Sequence, residues 1–130
     1  MKEHLIILVD DDEIINDVHA KHVSLKLPES KIISFVNPEQ AIEYLNELDH
    51  DPDRFIDIIL DLNFPDYFGL EFIETIEEHE LEELHNLTIH ILSEYEVVQV
   101  REKMKVFPFI AGYAQKPLSN KFIEVLKKSA

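Results

Sequence analysis

Cysteine is absent from the 130-residue chain, which excludes disulfide staples and thiolate metal sites and fits a reducing compartment. Glycine occurs only twice, so each glycine position carries information. Basic residues are scarce, with 12 Lys and Arg against 27 Asp and Glu and a formal net charge of −15. That balance repels phosphate backbones and anionic lipid alike, so direct binding to nucleic acid or to a membrane is not expected. Long hydrophobic runs are also missing. The segment Leu5 to Val9 is too short for a signal peptide or a membrane span, and the chain reads as cytoplasmic. No internal repeat, low-complexity linker or tail suited to a second domain interrupts it.

What is present is the composition of a folded domain, 45% hydrophobic and 30% charged. A chain of this length holds one compact core, so a single domain over 1–130 is expected, with no effector domain. Five short apolar runs recur: LIILV (5–9), IISFV (32–36), IDIIL (56–60), LTIHIL (87–92) and FIAGYA (109–114). Most are nearly continuous in apolar residues where a half-exposed strand would alternate. That pattern predicts parallel strands covered on both faces.

Between the runs lie segments of helical spacing, such as Ala41, Ile42, Leu45 and Leu48, or Leu70, Ile73 and Ile76. Asn37 can cap a helix that Pro38 opens, with Gln40 at the reach-back position of a capping box. Further helices are predicted near 13–26, 97–105 and 119–128. Alternation of strand and helix from end to end is the pattern of a doubly wound α/β sheet. Two polar stretches, 46–54 and 77–85, read as solvated helix ends and loops.

In an open parallel sheet, ligands bind outside the carboxyl ends of the strands. The residues following the five runs are therefore the candidates: Asp10 and Asp11 after the first, Asp61 after the third, Ser93 after the fourth, and Lys116, before Pro117, after the fifth. Carboxylates about 4 Å apart repel by roughly 4 kcal/mol per pair at an effective dielectric near 20, which calls for a cation. Magnesium, with its preference for oxygen ligands and for bridging carboxylate to phosphate, fits best. Beside such an ion an aspartate can attack a phosphoryl group and keep it as an acyl phosphate. Asp12, the third consecutive carboxylate, reads as a helix cap. His19 and His22 have a spacing seen in metal sites, but on an acidic helical surface they read as solvated.

These residues resemble the receiver domains of two-component response regulators over the whole chain. LIILVDDDEI is similar to the first strand and acidic pair of that family, and LDLNFPDYFG to its phosphoacceptor segment, with Pro65 and Gly69 after Asp61. ILSE supplies a switch hydroxyl at Ser93, and GYAQKP supplies the aromatic Tyr113 and the Lys116-Pro117 pair. The resemblance implies a flavodoxin-like fold with sheet order 2-1-3-4-5 and helices on both faces. It implies Asp61 as phosphoacceptor, Asp11 as a direct Mg2+ ligand, Asp10 as a nearby partner and Asn63 as a ligand through its backbone carbonyl. Lys116 would pair with the phosphoryl group, while Ser93 and Tyr113 would relay its presence to the surface of the fourth helix, fifth strand and fifth helix.

The implied partners are a sensor histidine kinase or phosphotransfer protein as donor and a separate downstream protein as target. The implied state is a monomer or a weak phosphorylation-dependent dimer, and no enzymatic substrate beyond the domain's own phosphoryl transfer and autodephosphorylation. Two positions depart from the commonest pattern: Glu94 follows Ser93 where a small residue is usual, and Phe64 precedes Pro65 where methionine is frequent. The alternatives are a magnesium-dependent phosphohydrolase with an aspartyl-phosphate intermediate, whose usual Asp-x-Asp has Asn63 as its second member here, and a pseudo-receiver that binds partners constitutively.

Overall fold

The structure is a computed structural model that describes residues 3–61, 67–93, 98–115 and 118–129. Strands β1 (Glu3–Val9), β2 (Lys31–Phe35), β3 (Arg54–Asp61), β4 (Leu87–Ser93) and β5 (Ile110–Gln115) form one sheet in the order β2-β1-β3-β4-β5. All four pairings are parallel. The five apolar runs are thus the five strands, and the doubly wound sheet with order 2-1-3-4-5 is the one the resemblance implied.

The helices are α1 (Glu13–Lys26), α2 (Pro38–Glu47), α3 (Tyr67–Glu78), α4 (Leu81–Leu84), α5 (Val98–Val106) and α6 (Asn120–Ser129). Two cores explain why the strands lack polar alternation. On one face Leu5, Ile7 and Val9 of β1, Ile56, Ile58 and Leu60 of β3, and Ile89 and Ile91 of β4 pack under Ala41 and Leu45 of α2 and Phe72, Ile73 and Ile76 of α3. On the other, Ile6, Leu8, Ile59 and Leu92 pack under Val23 of α1 and Phe122, Ile123 and Leu126 of α6. Truncating any of the fully buried leucines or isoleucines to alanine would cost about 2–5 kcal/mol. No helix among the described residues is long and apolar enough to cross a membrane.

Local chemistry sets the ends of these elements. Asp12 caps α1 by accepting from the backbone N–H groups of Ile14 at 2.9 Å and Ile15 at 3.3 Å. Asn37 accepts from Glu39 N at 2.7 Å and Pro38 opens α2, as its sequence predicts. The 77–85 stretch differs from its reading as solvated loop. The chain turns through a left-handed Glu80 (φ 54°), forms α4, and buries Leu81 and His85. His85 Nε2 donates to the Leu45 carbonyl at 2.7 Å, tying this corner to α2.

The β4–β5 register shifts after Ile89↔Ile110, so that His90 faces Gly112 and Ile91 faces Tyr113. Ala111 is the extra, exposed residue. Because of that shift Ile110 and Tyr113, three residues apart, both join the α2–α3 side of the sheet.

Candidate functional site

Parallel pairing brings the carboxyl ends of all strands to one edge, and the polar residues collect there. Asp10, Asp61 and Ser93 are each 1% exposed, a burial that is unusual for two carboxylates. Strand alternation directs Asp10 and Asp61 to the α1–α6 face, together with Ile6, Leu8 and Ile59. Ser93 and Tyr113 alternate to the opposite face. The register pairs Asp61 with Leu92, so Ser93 lies one residue beyond the level of Asp61.

The three consecutive aspartates have three different environments. The backbone N–H of Asp10 continues the β1–β2 ladder to Phe35 O at 3.1 Å. Buried Asn16 of α1 donates to both the Asp10 and Phe35 carbonyls, at 3.0 and 3.1 Å, and so fixes where these two strands end. Oδ1 of Asp10 accepts from Asp12 N at 2.9 Å, but Oδ2 is buried without a hydrogen-bond partner among the described residues. Asp11 is exposed, and Asp12 is spent on the cap.

Electrostatics follow from this placement. Burial, reinforced by the neighbouring Asp61, pushes the Asp10 carboxyl up to about 6 from an ordinary 3.8. Asp11, though exposed overall, is raised as well, by local desolvation of its carboxyl and by Asp10. A divalent cation would relieve both effects, and the buried, orphaned Oδ2 of Asp10 is a ligand of the right kind for it.

One residue of the cluster was misread as solvated in the sequence. His19 of α1 is half-buried, and a ring nitrogen of His19 lies with one carboxylate oxygen each of Asp10 and Asp61 such that all three are within 4.8 Å of one another. The signal was present in the spacing of Asn16, His19, Ala20, Val23 and Leu27, a helical stripe facing the sheet. His22, by contrast, turns aside to Asn120 Oδ1, 2.8 Å away.

Tyr113 is half-buried, with the Arg101 guanidinium of α5 5.7 Å from its ring centroid. Asn63, Phe64, Pro65, Glu94, Lys116 and Pro117 lie outside the described residues.

No protein-family model and no curated protein matches this sequence. Solved structures do. A two-component response regulator from Cytophaga hutchinsonii is 22% identical, with a TM-score of 0.79 over 99% of this chain and 97% of that one. A response regulator receiver protein from Dyadobacter fermentans is 22% identical, with a TM-score of 0.78 over 96% of each chain. The response regulator TrrA from Thermotoga maritima, in complex with Mg2+ and BeF, is 23% identical with a TM-score of 0.70 over 100% of both chains. Sheet order, strand-end carboxylates and these full-length likenesses agree: the chain has the fold of response regulator receiver domains.

Proposed function

We infer that this chain is a phosphoacceptor receiver domain of a two-component or phosphorelay system, phosphorylated on Asp61. The observation that carries the reading is the buried Asp10–Asp61 pair at the carboxyl edge of the sheet, with an Asp10 oxygen left unsatisfied. Two carboxylates held in an apolar setting are costly unless the site exists to receive a cation and a phosphoryl group.

An oxygen of Asp61 attacks the phosphorus of a phosphohistidine on a histidine kinase or phosphotransfer protein. The P–N bond breaks, the histidine leaves, and an acyl phosphate remains on Asp61. Mg2+ held by Asp10, Asp11, Asp61 and the backbone carbonyl of Asn63 would supply neutralisation of the phosphoryl charge. The complex of Thermotoga TrrA with Mg2+ and BeF supports this choice of ion. Lys116 pairs with the phosphoryl oxygens, the Ser93 hydroxyl donates to one of them, and Tyr113 reports the change on the surface of α5, β5 and α6. A target protein reads that surface. The net charge of −15 speaks against nucleic acid as the target.

Acetyl phosphate with Mg2+ should place one phosphoryl group on the wild-type protein and none on Asp61→Asn, as read by intact-mass spectrometry. Equal incorporation in the two proteins would remove Asp61 from its role. Steady turnover of free phosphate esters would instead indicate the phosphohydrolase reading.

A further inference from the structure

The His19 imidazole adds a nitrogen donor to a site otherwise built from oxygen. We propose that His19 is a third protein ligand at the strand-end cation site, so that this site takes Zn2+ through a nitrogen donor that Mg2+ does not use. The proposal deepens the phosphoacceptor reading and rests on it for the ion's role in phosphoryl transfer, though not for the binding itself.

The geometry is that of a cluster one ion can span. Ligands about 2.1 Å from a metal are about 3.0 Å apart when adjacent and about 4.2 Å apart when opposed. The three ligand atoms of Asp10, His19 and Asp61 lie within 4.8 Å of one another, so side-chain shifts of under about 1 Å bring them onto one ion. Independently, Asp10 is 1% exposed and its Oδ2 has no hydrogen-bond partner among the described residues, which is the state of a carboxylate oxygen awaiting a cation.

Donor chemistry then selects the ion. Magnesium favours oxygen, demands near-ideal octahedral geometry and gives up its waters reluctantly. Imidazole suits zinc, copper, iron and nickel, and zinc accepts histidine nitrogen and carboxylate oxygen in one coordination sphere. The fold holds His19 in place, because it lies on the sheet-facing stripe of α1 between buried Asn16 and Val23. A rival chelate between His19 and His22 on the helix surface is disfavoured, since the His22 ring is engaged with Asn120 of α6.

Calorimetric titrations of Zn2+ and Mg2+ into wild type, His19→Gln and His22→Gln test the assignment. Replacing the nitrogen donor in His19→Gln should weaken Zn2+ binding by at least about tenfold and leave Mg2+ binding within about twofold. His22→Gln should match wild type for both ions. Because a substitution on α1 can unfold the chain, the 15N shifts of the histidine rings in wild type provide a second readout. The first equivalent of Zn2+ should move His19 ahead of the six other histidines of the seven in the chain. Equal Zn2+ affinity in wild type and His19→Gln, an equal loss in His22→Gln, or a first shift at another histidine would each overturn the proposal. Acetyl phosphate labelling of the same samples separates the two readings. Labelling of Asp61 without any His19-dependent Zn2+ binding overturns only the metal assignment. His19-dependent Zn2+ binding without labelling supports the metal site and overturns the phosphoacceptor role.

Discussion

Asp10 concentrates the conflict between folding and function in one side chain. Its carboxyl is raised to about 6 by burial and by Asp61, against an ordinary value of 3.8. A carboxyl whose folded value lies above its unfolded one favours the fold while protonated, and that contribution is lost as pH rises through the folded value. Without divalent ions, this group therefore makes the protein less stable at pH 7 than at pH 4. Asp10→Asn should flatten that slope and raise stability at pH 7 by about 1–3 kcal/mol, a range discounted for relaxation around the site. Saturating Mg2+ should reverse the order, since ion binding stabilises only the folded state that holds the carboxylates together. Thermal unfolding of the two proteins in chelator and in Mg2+, at several pH values, gives both quantities. Parallel pH profiles would mean that Asp10 is not under strain from Asp61. Of this residue-scale picture, the sequence made the local parts legible: a strand end followed by aspartates, and Asp12 as a cap. The position of His19 beside Asp10 and Asp61 was not legible from its spacing to His22 alone, because an i, i+3 pair of histidines says nothing about which side of the helix faces the sheet.

At the scale of elements, the parallel strands are joined on their α1–α6 side by a polar bridge as well as by apolar packing. Asp57 of β3 accepts from His4 Nε2 of β1 and from His90 Nε2 of β4, both at 2.7 Å. Burial alone would push the Asp57 carboxyl up, but the two hydrogen bonds and the histidine charges outweigh it and hold the group below its usual range. Being ionised, Asp57 can only accept, so both rings present Nε2–H to it. A carboxyl lowered by folding stabilises the fold above its unfolded value of 3.8, and this is lost as pH falls through the still lower folded value. Asp57→Asn leaves one ring facing an amide donor and should cost about 3–5 kcal/mol in urea unfolding at pH 7. It should also remove this group's share of the acid sensitivity below pH 3.8. A loss under about 1 kcal/mol would make the bridge incidental. The strands themselves were readable because an apolar run is a local property. The bridge was not, since it exists only once the register sets Asp57 beside Ile6 and Thr88, with residues at separations of 33 and 53 along the chain. The 77–85 stretch escaped for a different reason: its many glutamates masked the i, i+4 pair Leu81 and His85, which is buried.

Across the whole molecule, the sheet separates the site from the surface that would report on it. Asp10 and Asp61 alternate to the α1–α6 face, whereas Ser93 and Tyr113 alternate to the face of α2, α3 and α5. Under the proposed function a signal would cross at the carboxyl edge, where Ser93 lies buried and one residue beyond the level of Asp61. Tyr113 pairs with Ile91, two residues back along β4 from Ser93, and lies beside Arg101, so the proposed relay from Ser93 to α5 would be short. A phosphoryl group can shift the equilibrium only by its differential interaction with the two arrangements. Deleting the hydroxyl should remove one hydrogen bond of about 1 kcal/mol from the active arrangement, or about a fivefold change in the ratio of states. Ser93→Ala is thus expected to accept phosphate at Asp61 and yet show smaller NMR shift changes at Tyr113, Arg101 and along α5 when beryllofluoride and Mg2+ are added. The affinity for beryllofluoride should fall by no more than the same factor. Identical shift changes in the two proteins would show that the signal crosses the sheet by another route, while leaving Asp61 as the acceptor.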